Sequence, residues 1–580
     1  LLLAHRRCAR DDRAVRFQHL TLTNYRSFGP DTTTVEFPAD ENLCAIVGAN
    51  NAGKSNLLSA LKVVLSTGRR PAADPADFHH LDITTEMRID LTLRDPLKQE
   101  TIFRGTGEVH GFFFRAHRAT RGRDKGQLKT DHYCRDEKGD TYRPPAAVKA
   151  RSTPVDADVD PIKFAPTPAS RVVPLLGRVH FLTPNLYRAF DTSGYGILAQ
   201  LLDLYRDDFR SDANTYTIPT PPHEVISRAA AFERLTARMS EILRTEKLAS
   251  IEQSLSRNLR EVLGPTAAGA EVTIALPTAE ELLAEILSLR VQDDATGPTL
   301  SVDRLGDGYR SLLRLAILRT YTDLAGDARP SVFLIEEPEA YLNPHLRRYF
   351  ATTLRKLADL GNDVVLTTHD AAFVSLPAYR TVLRVAKTGA SSRSYRCIET
   401  LDFAYERFAQ KLRRGGNAEL FFAARAILCE GQDDVAAVRA VLERLKIDPD
   451  SLSVSVLDCG GRDNLPDYVR LCDKLNIDLL VITDGDASKI NTNDSTARNV
   501  EAVETAAGKR MFRFAEDIEH ALNTTKLGGG ENPAHLVAVV EALDFEDLAE
   551  QAEMAMLGAT LQTFCSGPSS NDSAPPQPAT

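Results

Sequence analysis

"LCAIVGANNAGKSNLLSALKVVL" (Leu43–Leu65) decides how the rest of the chain is read. Five apolar residues run into a glycine-bracketed turn, and apolar residues then recur at helical spacing. Gly48 to Ser55 fits G-x-x-x-x-G-K-[ST], and a strand before it with a helix after it makes that pattern a P-loop. Gly48, Asn50, Asn51 and Gly53 let backbone N–H groups wrap phosphates, and the helix N-terminus adds the positive end of its dipole. Lys54 is expected to reach the β- and γ-phosphates of ATP and Ser55 to ligate Mg²⁺.

Such a loop needs acids on neighbouring strands, and the chain supplies them much later. "SVFLIEEPEAYLNP" (331–344) is an apolar strand ending in Glu336 and Glu337, and "DVVLTTHD" (363–370) is another, ending at His369. Glu336 is expected to hold the hydration shell of the Mg²⁺, Glu337 to orient water, and His369 to reach the γ-phosphate. Upstream, "DRLGDGYRSLLRLAIL" (303–318) places Gly306, Gly308 and Ser311 where a loop opens a helix, a second anion-binding end.

A third constellation lies between residues 425 and 522. "RAILCEGQDD" ends an apolar strand at Glu430, and Asp434 follows one helical turn on. "SLSVSVLD" ends at Asp458, although the Gly460–Gly461 turn alone explains that aspartate. "LLVITDGDAS" (479–488) ends in Asp484 and Asp486, which leave the same edge if the strand continues through them. Carboxylates at strand ends converge at the carboxyl edge of a parallel sheet, where their mutual repulsion calls for a cation. All-oxygen ligands suit Mg²⁺ or Mn²⁺ rather than zinc.

With 580 residues, 43% apolar and 26% charged, the chain is long enough for two or three domains with sizeable cores. No apolar run reaches the ~18 residues of a membrane span, so no membrane partner is expected. Eight scattered cysteines without a C-x-x-C give neither a zinc site nor a disulfide framework, which points to the reducing cytoplasm. A net charge of −10 excludes a generally basic surface but not a local groove. Between Arg115 and Arg151, eleven Lys or Arg stand against five Asp or Glu, which reads as a solvated basic loop or one that faces DNA.

Taken in order, the P-loop, "LGDGYRS", "LIEEPEAYLNP" and "TTHD" resemble the ABC-type ATPase heads of the structural-maintenance-of-chromosomes class, and "LTNYRSF" (22–28) resembles their opening strand. The resemblance implies ATP sandwiched between two protomers, with Gly308 and Ser311 completing the partner's site, and hence a homodimer or higher homo-oligomer. Glu336 stands where that class usually has Asp, and slow turnover is the corresponding expectation. The E-G and D-x-D elements resemble the TOPRIM fold. An ABC head joined through "FFAARAILCEG" to a TOPRIM domain resembles the OLD (overcoming lysogenisation defect) family of ATP-linked endonucleases, which includes the nuclease subunit of Gabija anti-phage systems. The match covers residues 16 to 522. It implies Glu430, Asp434, Asp484 and Asp486 as metal-holding acids, with Glu430, Asp484 and Asp486 catalytic. A later acid in "FAEDIEHAL" best fits Glu519, with Glu516 and Asp517 as rivals. Asp434 is shorter than the family's usual Glu, and the family's C-terminal basic residue has only Lys526 as a weak counterpart.

The expected architecture is α/β: an ABC-type P-loop head with a helical insertion, followed by a TOPRIM domain built on a parallel sheet. Its expected boundaries are a leader or start-site artefact at 1–15, an N-terminal ATPase lobe at 16–188, a helical insertion and possible dimerisation arm at 189–262, and a C-terminal lobe at 263–400. A connector at 401–425, the TOPRIM domain at 426–525, a helical segment at 526–565 and a disordered tail at 566–580 complete it. The expected activity is ATP-dependent, Mg²⁺-dependent cleavage of double-stranded DNA by a two-metal site, gated by the heads, in anti-phage defence or foreign-DNA processing. A helicase-like protein is a possible further partner. The rival readings are a DNA-bridging ATPase whose TOPRIM-like domain is inert, and a TOPRIM topoisomerase or primase, for which no tyrosine-bearing cleavage domain or zinc module is visible.

Overall fold

The computed structural model describes residues 17–39, 41–67, 71–99, 107–120, 125–142, 168–176, 179–183, 205, 208–218, 224–263, 290–292, 299–301, 304–324, 331–374, 376–401, 417–486, 494–524, 532–542 and 551–567. The chain divides into two compact units, one made of residues 1–181 and 327–580 and the other of residues 182–326.

The first unit opens with an antiparallel sheet of β1 (Phe17–Thr23), β2 (Thr33–Glu36), β4 (Met87–Gln99), β5 (Gly107–Arg118) and β6 (Leu128–Arg135), in the order β2-β1-β4-β5-β6. Alternate residues of β1, such as Leu20 and Leu22, are fully buried while their neighbours are not, as one covered face requires. The β5–β6 hairpin corrects the reading of residues 115–151 as a basic loop: Arg115 there pairs across the strands with Asp131 at 2.5 Å. Arg135 pairs likewise with Asp90 of β4 at 2.9 Å, and the part of the stretch beyond Tyr142 lies outside the described residues.

A second sheet carries the P-loop. Among the described residues its order is β15-β14-β3-β13-β12-β7, built from β3 (Leu43–Val47), β7 (Val179–Leu182), β12 (Val332–Glu336), β13 (Asp363–Thr367), β14 (Val382–Thr388) and β15 (Ser391–Tyr395). β3 lies parallel to both β13 and β14, and all five of its residues are buried. A strand covered on both faces reads as a continuous apolar run, which is why "LCAIV" lacks alternation. Helix α1 (Lys54–Val64) leaves the P-loop and packs Leu57, Leu58 and Leu61 into the core beneath both sheets.

The third sheet holds β16 (Arg425–Cys429), β17 (Val454–Asp458), β18 (Asp478–Thr483) and β19 (Met511–Arg513), all parallel, in the order β17-β16-β18-β19. Along β16, Ala426 and Leu428 face one core, and Ile427 and Cys429 face another. The first of these cores also takes in Val47, the residue before the P-loop, so apolar packing runs without a break from the nucleotide strand to the third sheet. Arg384 of β14 makes a polar counterpart to that continuity. Its buried guanidinium donates to the carbonyls of Leu475 and Asn476, both at 2.8 Å, and to that of Ala423 at 2.9 Å.

In the second unit, a short hairpin of β8 (Thr215–Thr217) and β9 (Val225–Ser227) leads into helices α2 (Arg228–Leu243) and α3 (Glu246–Leu263). Ser227 caps α2 by accepting from the Ala230 amide at 3.2 Å. A second hairpin, β10 (Arg290–Gln292) with β11 (Thr299–Ser301), precedes helix α4 (Asp307–Leu324).

Candidate active sites

The P-loop is shaped by glycines that no other residue could replace. Gly48 has φ +141°, and a Cβ there would lie 2.1 Å from the Val385 carbonyl oxygen on β14. Gly53, at φ +108°, is crowded in the same way by the Ser27 and Ser392 hydroxyls. Ser392 in turn donates to the Ala52 carbonyl at 2.6 Å and fixes the loop from outside. Lys54 folds back on its own loop, donating to the carbonyls of Gly48 at 2.9 Å and Ala49 at 2.8 Å. Burial lowers its pKa to about 8, against the opposing pull of Glu337 and Glu339. Asn50, Asn51 and Ser55 line the exposed side of the loop.

Register brings the distant acids to the same sheet edge. Glu336 ends β12 opposite Thr367 of β13, and Glu337 follows at φ +43° with its amide donating to the Thr367 carbonyl at 3.0 Å. The His369 ring lies 3.7 Å from the Glu337 carboxylate, and its pKa is lowered first by burial and then by Lys54. A neutral imidazole keeps one N–H to donate and one nitrogen to accept. Glu339 escaped sequence reasoning. Its Oε1 accepts from the His369 amide at 2.6 Å, and burial raises its pKa. The signal was present in "EEPE", where a third acid two residues after Glu337 returns to the same edge. In the second unit, Gly308 is exposed at the start of α4, whereas Ser311 is fully buried in the second turn.

The third sheet gathers the other acids. Glu430 follows β16, and its Oε1 accepts from the Asp484 amide at 3.1 Å, the Arg462 Nε at 2.8 Å and the Thr483 hydroxyl. Gly431 caps helix α5 (Gln432–Arg444 in the third-sheet region), and its amide donates to Asp434 at 3.1 Å, which turns that side chain back towards Glu430. β18 stops at Thr483, so Asp484 and Asp486 do not leave one edge as an extended strand would place them. Instead the chain turns: Asp486 has φ +48°, and the amides of Gly485 and Asp486 both donate to the Glu516 carbonyl, at 2.8 and 3.0 Å. A Cβ on Gly485 would lie 2.1 Å from the Phe514 carbonyl oxygen, which explains the glycine between the two aspartates.

The electrostatics follow from this crowding. Burial, then Glu430, then Glu519 raise the Asp434 pKa to about 7, with the Gly431 amide pulling the other way. Burial, Asp434, Glu430 and Asp517 raise that of Asp484 to about 8, opposed by Arg462. Asp484 and Asp434 share this strain as a pair. Of the late acids, Glu519 is buried and acts on Asp434, Asp517 acts on Asp484 while capping the turn at Ile518–Ala521, and Glu516 contributes its carbonyl. Lys526 lies outside the described residues.

Arg462 is the residue sequence reasoning missed here. It stands one residue beyond the Gly460–Gly461 turn at the end of β17, and its guanidinium bridges Glu430 and Asp486, each at 2.8 Å. Among the described residues, no three Asp, Glu, His or Cys side chains stand close enough to cage a metal ion as they are. The donor set nevertheless fits a hard divalent cation. Asp484 Oδ1 is buried without a hydrogen-bond partner, and the carboxyls of Asp434 and Asp484 are held above their ordinary range by burial first and by neighbouring acids second.

Residues 421–486 match the family model described as the TOPRIM domain of overcoming-lysogenization-defect-like proteins. Residues 19–143 and 220–374 match two AAA ATPase domain models. An OLD nuclease of Thermus scotoductus is 26% identical over 87% of this chain and 91% of its own length. The Old nuclease of Escherichia phage P2 is 20% identical over 32% of this chain and 33% of its length. A solved Smc head domain from Pyrococcus furiosus aligns with 69% of this chain and all of its own at 14% identity, with a TM-score of 0.35, too low to bear on the fold. The P-loop edge and the carboxylate edge thus fall inside different family matches, and this chain joins AAA-type ATPase sequence to an OLD-like TOPRIM domain.

Proposed function

We propose that this chain is an ATP-dependent endonuclease that cuts double-stranded DNA at the TOPRIM site with Mg²⁺ or Mn²⁺. One observation carries the reading: Arg462 ties Glu430 to Asp486 beyond the ends of β16 and β18, while burial and then neighbouring acids hold Asp434 and Asp484 near neutral pKa. Asp434, Asp484 and Glu519 would hold the divalent ion, together with Glu430 and Asp486. The ion would supply a polarised water and stabilise charge on the phosphate oxygens. The chain's own residues would orient the acids: Thr483 and the Asp484 amide fix Glu430, and the Gly431 amide fixes Asp434.

ATP would be held by Lys54 and Ser55, with Glu337 orienting water and His369 facing the γ-phosphate. Gly308 and Ser311 would complete the site of a second copy. Apolar side chains exposed on α2, including Ile242 at 74% and Leu235 at 56%, support a role for the second unit in self-association. The cellular role would be defence against phage or processing of foreign DNA. Incubation of supercoiled plasmid with the protein, with and without Mg²⁺, Mn²⁺ and ATP, tests the reading. Metal-dependent conversion to nicked or linear DNA is expected. DNA binding without cleavage under every condition would favour a DNA-bridging ATPase with an inert second domain.

A further inference from the structure

Arg462 occupies a place that a cation of the reaction would also claim. It opens the short turn Arg462–Asn464, which is pinned to the acid it contacts because the Gly461 amide donates to the Glu430 carbonyl at 2.7 Å. Its side chain is 10% exposed. Nε meets Glu430 Oε1 at 2.8 Å, Nη1 meets Asp486 Oδ2 at 2.8 Å, and Nη2 meets the Asp484 carbonyl at 3.1 Å. One planar fork therefore ties together three residues of the carboxylate edge. Glu430 Oε1 already accepts from the Thr483 hydroxyl and the Asp484 amide as well, so its lone pairs are taken. A Mg²⁺ ligand sits at about 2.0–2.1 Å, and an oxygen in that role cannot keep three N–H or O–H donors. An ion taking these two acids through their other oxygens would still stand beside the guanidinium, so the two positive charges compete for the same carboxylates.

We infer that Arg462 is a displaceable internal cation. It neutralises Glu430 and Asp486 while no ion is loaded, and it is released when a divalent ion takes those carboxylates. The freed guanidinium then lies at the edge where a DNA phosphate must approach, and a planar fork that bridges two carboxylates is equally suited to two phosphate oxygens. Metal loading and phosphate capture are thereby linked through one side chain. This rests on the TOPRIM site being the metal site.

The test uses full-length, nucleotide-free protein, with Mn²⁺ binding followed by calorimetry and duplex oligonucleotide binding followed in Ca²⁺. Wild type should bind Mn²⁺, and Asp484→Ala should lose that binding; if it does not, the metal site itself is misplaced, whatever Arg462 does. Given that site, Arg462→Gln should bind Mn²⁺ about tenfold more tightly, since no charge-assisted bridge has to be broken first. Arg462→Lys keeps the charge but cannot span both acids, and it too should tighten Mn²⁺ binding severalfold. Both variants should lose most of the gain in duplex affinity that Ca²⁺ gives wild type. Unchanged or weaker Mn²⁺ binding in both variants would overturn the inference. So would tightening in the Gln variant alone, which a field effect without displacement would give, or undiminished Ca²⁺-dependent DNA binding. Should Arg462→Gln fail to fold without metal, the Lys variant carries the same comparison.

Discussion

Single side chains at the two sites have opposite electrostatic burdens. Lys54 is a cation whose charge is disfavoured by burial, while Asp434 and Asp484 are acids whose charge is disfavoured by burial and by each other. For the acids the linkage sign is definite. Their folded pKa values, about 7 and about 8, stand above the unfolded value of 3.8, so the folded state holds protons that the unfolded chain has released. Without metal, stability is lost as pH rises from about 4 to about 8. Asp484→Asn cannot pay that penalty, so its melting temperature should gain on wild type steadily between pH 5 and pH 8. A difference that stays flat across that range would show that Asp484 is not held protonated. At the nucleotide site, Glu337→Gln should still bind ATP but hydrolyse it on the order of a hundredfold more slowly, as loss of a water-orienting acid entails. ATPase activity at the wild-type rate in that variant would remove Glu337 from the role.

Elements were more legible than their connections. "LCAIV", "SVFLIEE", "RAILCEG" and "LLVIT" are apolar runs that could only be buried strands, because each ends in a glycine or an acid that cannot continue the run. Their parallel register was implied by the helices between them. The D-G-D turn was misread, since nothing local reveals that the Glu516 carbonyl bends the chain after Thr483. Arg462 was missed for a related reason: it acts on Glu430, about thirty positions away, and one sequence carries no sign of such pairing. Arg384 was equally hidden, a cation inside an apolar strand whose partners are carbonyls. Arg384→Ala should cost about 3 kcal/mol, because it leaves two buried carbonyls and one half-buried carbonyl without their donor. Chemical denaturation reads this directly, and a loss under 1 kcal/mol would mean that water replaces the guanidinium there.

At the scale of the whole molecule, AAA-type ATPase sequence and an OLD-like TOPRIM domain share one chain. The apolar core that begins at Val47 and continues beneath β16 and β18 gives the P-loop strand and the TOPRIM sheet a common foundation. If ATP is bound between two copies, a substitution at the exposed Gly308, such as Gly308→Arg, and Lys54→Ala damage different halves of each composite site. Mixed heterodimers of the two variants should then recover one intact site and part of the ATPase rate, while no recovery after verified subunit exchange would contradict shared sites. The claim on which everything else depends is that the acids at Asp484 cut DNA and do not serve the ATPase. Plasmid nicking in Mg²⁺ and ATP hydrolysis should be measured on the same preparation of Asp484→Ala. Nicking should be abolished while ATP turnover stays at the wild-type rate; normal nicking by that variant would contradict a cutting role for Asp484.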